Sequence, residues 1–141
     1  MRNKPLYQVE SKQGRSLTVE QIQHALREYE PIDYYVVGKP IKWASILVPL
    51  FCREDSWHVL FTRRTDFVNN HKGQVSFPGG AMEETDPDPL HTALRESFEE
   101  IGLKPEDVIV AGELGKVQSI SGYLIYPYVG IIPWPYTFKI S

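Results

Sequence analysis

The sequence predicts an α/β (α+β) fold in which a mixed sheet carries helices, and three observations support this prediction. The chain has 141 residues, of which 42% are hydrophobic and 23% are charged, so it can build one core but not two. Short apolar runs rich in β-forming residues alternate with two segments that have helical spacing. The order is a helix, two strands, a glycine turn, a second helix and two more strands, which favours one mixed sheet with a helix packed on its face.

The N-terminal part of the chain contains the first predicted helix. Thr18 and Gln21 have the spacing of a capping box, in which each side chain satisfies a backbone N–H of the first turn. Apolar residues then recur at helical spacing at Ile22, Ala25, Leu26 and Tyr29. Pro31 ends this pattern, so we predict a helix over residues 19–30 and an extended connector over residues 31–40.

Four apolar runs after this connector predict strands. They are residues 44–51, 57–62, 108–114 and 123–132. Each run is short, is bounded by glycine, proline or charged residues, and is rich in β-branched and aromatic side chains. Between the second and third runs, residues 75–77 read as a short apolar strand that leads into a turn at Gly79 and Gly80.

A strongly capped segment follows the glycine pair and predicts the second helix. Asp88 is a favourable N-cap and Pro89 suits the first helical position, whereas Gly102 is a typical C-terminal stop. We therefore predict a helix over residues 89–101. Its expected buried stripe consists of Leu90, Ala93, Leu94, Ser97 or Phe98, and Ile101.

Three glutamates crowd into five residues of this helix, and they are the most informative feature of the sequence. Like charges one turn apart destabilise a helix by about 0.2–0.5 kcal/mol per pair, so a cation is expected among them. Glu96 lies three residues before Glu99 and four before Glu100, which brings all three carboxylates to one edge. Their oxygens are the hard ligands that Mg²⁺ or Mn²⁺ prefers. The backbone at Gly79 and Gly80 lets a phosphate or a metal approach closely.

These residues resemble the Nudix box, whose usual form is G-x5-E-x7-R-E-U-x-E-E-x-G-U with U aliphatic. The matching residues are Gly80, Arg95, Glu96, Glu99, Glu100, Gly102 and Leu103. Ser97 stands at an aliphatic position, and Asp86 stands at the early acidic position with eight residues rather than seven before Arg95. The resemblance implies a mainly structural role for Asp86.

The Nudix resemblance implies an α/β/α sandwich and a pyrophosphohydrolase that depends on Mg²⁺ or Mn²⁺. The implied metal ligands are Glu96, Glu99 and Glu100, with a backbone carbonyl at Gly79 or Gly80. Arg95 would pair with a carboxylate and keep the helix edge ordered, so it joins the three glutamates as a catalytic candidate. Glu96, or a group outside this region, would take the proton from the attacking water.

A longer stretch upstream resembles the coenzyme A pyrophosphatase branch of this family, which typically shows L-L-T-x-R-[SA]-x3-R-x3-G-x3-F-P-G-G. The residues that match in register are Leu60, Thr62, Arg64, Gly73, Phe77, Pro78, Gly79 and Gly80. Asn69 stands where the branch has an arginine. The implied reaction cleaves coenzyme A or an acyl derivative to phosphopantetheine and adenosine 3′,5′-bisphosphate.

Two other functions stay open at the level of the sequence. Asn69 favours a Nudix hydrolase that acts on another nucleoside diphosphate derivative, such as ADP-ribose or a dinucleotide. The third hypothesis is a Nudix-like module that binds a nucleotide without cleaving it. Glu96, Glu99 and Glu100 count against this third hypothesis, because a pure sensor does not need the full ligand set.

Four local cations are candidates for binding the substrate phosphates beside Gly79 and Gly80. They are Arg63, Arg64, His71 and Lys72. Neighbouring residues of a strand point to opposite faces, so only one of the two arginines can face a given side. Tyr123, Tyr126 and Tyr128 are interpreted mostly as core or rim residues of the last strand, although one of them has the chemistry to stack on adenine.

Composition argues against several classes of function. The formal net charge of −3 and the pI near 5.8 disfavour a surface that coats nucleic acid, but not a small anionic substrate held by a metal. The partner that the Nudix resemblance implies is a small-molecule nucleotide substrate. The lone Cys52 rules out an internal disulfide and suits a reducing compartment. No run approaches the ~20 apolar residues of a membrane span, and residues 1–4 lack the apolar core of a signal peptide. We expect no membrane partner and a cytoplasmic location.

We expect a single Nudix hydrolase domain over residues 1–141, with a helix and connector over 1–40 and the core over 41–141. Residues 133–141 read as part of a connection between strands and carry aromatic side chains that need a partner surface. Members of the resembled family generally continue into another strand and a C-terminal helix, so we expect a domain that lacks these elements. An incomplete edge of this kind can promote dimerisation, and a homodimer is therefore one expectation.

Overall fold

The computed structural model describes residues 6–9, 17–34, 42–63 and 74–141, and these ranges contain two helices and nine strands. The strands are β1 (Leu6–Val9), β2 (Lys42–Arg53), β3 (Ser56–Leu60), β4 (Thr62–Arg63), β5 (Val75–Ser76), β6 (Gly79–Ala81), β7 (Ile109–Glu113), β8 (Val117–Gln118) and β9 (Tyr123–Ile131). The helices are α1 (Val19–Glu28) and α2 (Pro89–Ile101), and a short 3₁₀ helix spans Pro105–Asp107. The predicted order of helices and longer strands is confirmed.

Seven of these strands form the central sheet, which mixes parallel and antiparallel pairs. Its main path runs β1-β3-β2-β9-β7, with β6 paired to β2 and β8 paired to β9. The pair β2–β9 is parallel, from Lys42 opposite Tyr123 to Leu50 opposite Ile131, whereas the other described pairs of this sheet are antiparallel. Strands β4 and β5 form a separate two-stranded ribbon. The prediction of a mixed sheet is therefore confirmed.

The two helices cover opposite faces of the sheet. One buried cluster joins Leu47 of β2 to Ile101 of α2, and the other joins Ile22 of α1 to Val129 and Ile131 of β9. Buried residues recur at every second position along the middle of β2, as expected for side chains that alternate between two faces. A central strand covered on both sides needs apolar residues on both, which explains its nearly continuous apolar run. The predicted α/β/α sandwich is confirmed.

Helix α2 begins and ends at the predicted residues. The Asp88 side chain accepts a hydrogen bond from the backbone N–H of His91 at 2.7 Å, and Pro89 occupies the first helical position. Gly102 adopts the left-handed conformation, with φ 71°, and its N–H donates to the carbonyl of Phe98. These capping contacts join residues that are close in sequence, which is why the sequence predicts both ends.

The buried side of α2 includes two hydroxyl side chains. Ser97 faces the core, whereas Phe98, the alternative at that place in the predicted stripe, is 51% exposed. Thr92 is also buried, although the prediction did not include it. The Ser97 hydroxyl donates to the carbonyl of Ala93 at 2.6 Å, and the Thr92 hydroxyl donates to the carboxylate of Asp86 at 2.9 Å. Both hydroxyls have partners, so their burial leaves no unsatisfied donor.

Helix α1 keeps the predicted start and ends two residues earlier than predicted. Thr18 and Gln21 form the predicted capping box, with contacts of 2.8 and 3.1 Å. The chain then becomes extended, and Tyr34 at the end of residues 31–34 pairs with Val117. Residues 35–40 of the predicted connector lie outside the described residues. Neither helix in the described part of the chain is long and apolar enough to cross a membrane.

Gly79 and Gly80 lie in a strand, which corrects the predicted turn. Strand β6 pairs antiparallel with β2, so that Gly79 lies opposite Ile46 and Gly80 lies opposite Ser45. Two consecutive glycines favour a turn when only local conformation is considered. Here close contacts with β2 and α2 require them, as the geometry of the site shows.

The prediction missed or merged several of the short strands. Strands β4, β6 and β8 have two or three residues each, and β1 has four. Such segments are too short to show the alternation that identifies a strand in a sequence. The predicted run over residues 57–62 accordingly divides between β3 and β4, with a break at Phe61.

The aromatic residues near the end of the sequence pack on their own domain. Trp134 stacks on Phe51 with ring centroids 4.2 Å apart, and Phe138 is buried in the same cluster. The hydroxyl of Tyr136 donates to Asp107 at 2.7 Å. The partner surface expected for these aromatic side chains is thus the face of the sheet that also carries α2. The homodimer stays a prediction.

Candidate active site

Glu96 of α2 lies directly against Gly80 of β6. A Cβ atom on Gly80 would lie 2.5 Å from Cδ of Glu96 and 2.6 Å from its Oε1. Any side chain at this position would therefore compete with the carboxylate for the same space. The close approach of helix and strand, rather than a turn, explains why glycine is needed here.

Gly79 fits against the neighbouring strand instead. A Cβ atom on Gly79 would collide with the carbonyl oxygen of Ser45 and would lie 2.7 Å from Cα of Ile46. Both are backbone atoms of β2, which can move only if the sheet itself is disturbed. The two glycines therefore do different things: Gly79 lets β6 pack on β2, whereas Gly80 leaves room for the Glu96 carboxylate.

Arg95 and Asp86 form a bidentate ion pair that ties α2 to the loop before it. The Nε of Arg95 donates to Oδ1 of Asp86 and its Nη2 donates to Oδ2, each at 2.9 Å. The same carboxylate accepts the backbone N–H of Glu83 and the hydroxyl of Thr92, both at 2.9 Å. Arg95 Nη2 also donates to the carbonyl of Ala81 at 3.1 Å. These contacts make Asp86 the hub that joins loop, helix and strand.

The electrostatics of this pair keep both partners charged. The side chain of Asp86 is 1% exposed and that of Arg95 is 16% exposed. The hydrogen bonds from Arg95 hold the pKa of Asp86 well below its usual range, and they outweigh the opposing effect of burial. The same contacts raise the pKa of Arg95 above its usual value. Asp86 therefore holds the guanidinium of Arg95 in one orientation, and the remaining nitrogen, Nη1, points away from the pair.

The remaining nitrogen of Arg95 lies among three carboxylates of the described residues. Its Nη1 is 3.1 Å from Oε1 of Glu96, 3.2 Å from Oε2 of Glu99 and 3.5 Å from Oε1 of Glu83. Glu96 and Glu99 belong to α2, whereas Glu83 belongs to the loop after β6. Sequence analysis missed Glu83. The signal that marks it is its position between the glycine pair and the early acid Asp86.

The surroundings of Glu96 shift its protonation. Burial is the largest effect and raises the pKa of Glu96, whereas the hydrogen bond from Arg95 lowers it. The negative charges of Glu99 and Glu83 raise the pKa further, so the net shift is upward. A carboxylate with a raised pKa is a better proton acceptor near neutral pH.

The donor chemistry at this point fits a hard divalent cation. Glu83, Glu96 and Glu99 offer only oxygen atoms, and they converge where a cationic nitrogen already lies. As the side chains stand, no group of three or more His, Cys, Asp or Glu side chains in the described ranges is placed to hold a metal. Binding an ion would thus require these carboxylates to turn away from Nη1 of Arg95. Asp86 would still hold the guanidinium through its Nε and Nη2.

The remaining predicted site residues are Glu100 and Arg63, which the structure describes, and others that lie outside the described residues. Glu100 of α2 is half-buried, and its backbone carbonyl accepts the N–H of Ser141. Arg63 is exposed and lies in β4, opposite Val75 of β5. The predicted residues that lie outside the described part of the chain are Arg64, His71 and Lys72, together with Asn69 and Gly73 of the branch pattern.

Comparison with known families defines the class of this domain. The profile of the NUDIX domain matches residues 42–130, which is more than half of the chain. The match runs from β2 through most of β9 and includes the glycine pair, α2 and the carboxylates around Arg95. The chain belongs to the Nudix family.

Curated relatives agree with this assignment. A protein named "Uncharacterized Nudix hydrolase NudL" from Shigella flexneri serotype 5b (strain 8401) is 36% identical over 129 residues, which are 90% of this chain and 65% of that protein. The protein of the same name from Enterobacter sp. (strain 638) is 44% identical over 90 residues, which are 64% of this chain and 46% of that protein. The matched regions thus span between 46% and 65% of these relatives.

Solved structures with a similar fold are Nudix proteins of low sequence identity. RenU, a Nudix hydrolase from M. smegmatis, is 18% identical with a TM-score of 0.59 over 75% of this chain and 74% of that chain. The NUDIX domain of Shewanella oneidensis NrtR, solved with ADP ribose, is 18% identical with a TM-score of 0.56 over 83% of this chain and 73% of that chain. Both likenesses support the sandwich fold.

Proposed function

We propose that this domain is a pyrophosphohydrolase that cleaves the diphosphate bond of a nucleoside diphosphate derivative. Nudix hydrolases generally need a divalent ion such as Mg²⁺ or Mn²⁺ and act on small nucleotides. The observation that carries the proposal is the convergence of Glu83, Glu96 and Glu99 on one nitrogen of Arg95. With Asp86 there are four carboxylates around one guanidinium, an excess of negative charge that a divalent cation would offset.

The proposed metal ligands are the carboxylates of Glu96, Glu99 and Glu100, with a backbone carbonyl at Gly79. A divalent ion held there would neutralise charge on the diphosphate and make the attacking water more acidic. The bare backbone at Gly80 leaves room for the Glu96 carboxylate, which supports a role for this glycine in placing the proposed ligand.

Glu96 is the proposed proton acceptor. The water oxygen forms a bond to one phosphorus atom, the P–O bond of the anhydride breaks, and the second phosphate leaves. The proton of the water passes to a carboxylate oxygen of Glu96. Arg95 keeps this edge of the helix ordered, because Asp86 fixes its guanidinium through two hydrogen bonds.

Coenzyme A or an acyl derivative is the proposed substrate, cut to phosphopantetheine and adenosine 3′,5′-bisphosphate. The support is the resemblance to the coenzyme A branch between Leu60 and Gly80. The proposed phosphate-binding residues are Arg63, Arg64, His71 and Lys72, together with Gly79 and Gly80. The 3′-phosphate of coenzyme A adds charge that an arginine can bind through two hydrogen bonds.

ADP-ribose is the second candidate substrate, and Asn69 favours it. An asparagine at the position where the coenzyme A branch has arginine offers no positive charge for an additional phosphate. ADP-ribose lacks the 3′-phosphate of coenzyme A, so fewer cationic side chains are needed to bind it.

A substrate screen tests the proposed reaction. Cleavage of coenzyme A, ADP-ribose, NADH and nucleoside triphosphates is measured with Mg²⁺, with Mn²⁺ and with EDTA. We expect the highest kcat/KM for coenzyme A and no cleavage in EDTA. A higher kcat/KM for ADP-ribose would move the assignment to the second candidate. No cleavage of any of these compounds with either metal would contradict the hydrolase proposal.

We also propose a cytoplasmic location and a homodimer. The thiol of Cys52 is exposed, which suits a compartment that keeps thiols reduced. Light scattering of the purified protein tests the second point, because a homodimer would have twice the 16.2 kDa mass of the chain. A mass of one chain at all concentrations would exclude the homodimer.

A further inference from the structure

A cavity of about 240 Å³ lies between the end of β7, the loop that follows it, β9 and the segment after α1. It is lined by Pro31, Asp33, Glu113, Leu114, Lys116, Tyr126 and Pro127. Pockets that enclose a whole drug-sized ligand measure roughly 300–1,000 Å³. This cavity is smaller, so it suits one group of a ligand rather than the complete molecule.

An aromatic ring and an ammonium group meet at this cavity. The Nζ of Lys116 lies 5.3 Å from the centroid of the Tyr126 ring, within the range of a cation–π interaction. The backbone N–H of Lys116 donates to Oδ1 of Asp33 at 2.9 Å, which fixes the backbone that carries the lysine. Nucleobases stack on aromatic side chains, and their π faces also attract cations. The lining is therefore suited to a planar base.

The register of the sheet aligns Tyr126 of β9 with Gly80 of β6, the residue that the Glu96 carboxylate contacts. Gly80 lies opposite Ser45, and Ser45 lies opposite Tyr126. Adjacent strands are about 4.8 Å apart, so Tyr126 lies roughly 10 Å from Gly80 across the sheet. Residues paired in register direct their side chains to the same face, and on that face Glu96 lies against Gly80. A nucleoside attached to a diphosphate at Glu96 is long enough to cover this distance.

The charges at the cavity favour a hydrogen-bond donor over a further phosphate. Asp33 and Glu113 contribute two carboxylates, against the single ammonium group of Lys116. Carboxylates accept hydrogen bonds from N–H groups and repel phosphate oxygens. A base with an exocyclic amino group, such as adenine, matches these acceptors.

We propose that this cavity is the nucleobase subsite of the enzyme, with Tyr126 as the residue on which the base stacks. The inference rests on the proposed function, because it assigns the diphosphate to the carboxylate cluster two strands away. Asp33 and Glu113 accept hydrogen bonds from the edge of the base, and the ammonium group of Lys116 lies over the ring of Tyr126. Adenine nucleotides are then preferred to uracil nucleotides, whose base has no exocyclic amino group.

Binding of adenosine monophosphate in EDTA tests the subsite without any turnover. Tyr126→Leu is expected to raise the dissociation constant about tenfold, because it removes the stacking surface. Tyr126→Phe keeps the ring and is expected to bind like the wild type. In the wild type, adenosine monophosphate should shift the NMR signals of Tyr126 and Lys116, and uridine monophosphate should bind more weakly.

A second tyrosine of β9, Tyr123, also lies under a lysine and provides the matched control. The Nζ of Lys42 lies 5.8 Å from the centroid of the Tyr123 ring, and this pair does not line the cavity. Tyr123→Leu is therefore expected to leave the affinity for adenosine monophosphate unchanged. Equal losses in Tyr123→Leu and Tyr126→Leu would overturn the subsite. Wild-type NMR shifts that avoid Tyr126, or no binding at millimolar nucleotide, would overturn it even if Tyr126→Leu fails to fold.

This experiment separates the subsite from the proposed reaction. A protein that binds adenosine monophosphate through Tyr126 but cleaves no diphosphate keeps the subsite and loses the hydrolase proposal. A protein that cleaves diphosphates with unchanged nucleotide affinity in Tyr126→Leu loses the subsite and keeps the hydrolase proposal.

Discussion

The carboxylate of Glu96 occupies the space in which a side chain at Gly80 would lie. The obstacle at Gly80 is the flexible end of a side chain, whereas the obstacle at the neighbouring Gly79 is the backbone of β2. Substitutions at these adjacent glycines should therefore have different consequences, one for activity and one for stability.

Gly80→Ala is expected to lower kcat/KM strongly while costing little stability. The new methyl group pushes the Glu96 carboxylate aside, and an off-rotamer side chain costs only about 0.5–1.5 kcal/mol. Turnover of the best substrate and urea unfolding measure the two effects. Ala81→Ser, at the exposed end of β6, is the control and should change neither. Unchanged turnover in Gly80→Ala would show that Glu96 does not need this space.

Gly79→Ala is expected to lower the free energy of unfolding by about 3 kcal/mol or more. Its methyl group meets backbone atoms at Ser45 and Ile46, which cannot move without separating β6 from β2. Urea unfolding compared directly with Gly80→Ala measures the difference. Equal stability of the two variants would contradict the distinction between a backbone contact and a side-chain contact.

Glu99→Gln is expected to reduce kcat/KM by about 100-fold or more in Mg²⁺ while the protein stays folded. If Glu99 is a ligand as proposed, its loss weakens the binding of the ion and removes part of the several kcal/mol of electrostatic stabilisation that the ion would supply. The side chain of Glu99 is 55% exposed, so its replacement disturbs little packing. Glu84→Gln, an exposed position in the loop before α2, is the control. Similar activity in both variants would remove Glu99 from the metal site.

Asp86→Asn is expected to lower the free energy of unfolding by about 3 kcal/mol, because it leaves the charge of Arg95 without its buried partner. Denaturant unfolding of the purified variant gives this value. Asp88→Asn is the control, since asparagine caps a helix about as well as aspartate. Equal small losses in the two variants would show that the bidentate pair contributes no more than a helix cap.

Stability should also fall with acid because of Asp86. Its pKa in the folded protein lies below the ordinary value of 3.8, so at low pH the unfolded chain binds a proton that the folded protein does not. The contribution is complete above about pH 5 and is lost as pH falls toward the folded pKa. The stability difference between wild type and Asp86→Asn should therefore shrink from pH 7 to pH 3.5. A constant difference over this range would contradict the assignment.

The sequence by itself determined both ends of α2 and the family of the domain. Asp88, Pro89 and Gly102 act on backbone groups no more than four residues away, so their effect does not depend on the rest of the fold. The long apolar runs of β2, β3, β7 and β9 were likewise predicted, because each is long enough to show its character. The Nudix resemblance drew on the same local spacing.

Only the tertiary structure decided where the local patterns meet. Gly79 and Gly80, which the sequence places in a turn, lie in a strand that pairs with β2 and is in close contact with Glu96 of α2. The tertiary structure added Glu83 to the carboxylates around Arg95. The cavity at Tyr126 likewise exists only because β7, the loop after it and β9 come together with the segment after α1. The physical reason is the sequence separation of the contacts. Caps and turns join residues that are near in sequence. Strand pairing and burial join residues that are far apart in sequence and meet only when the sheet is packed.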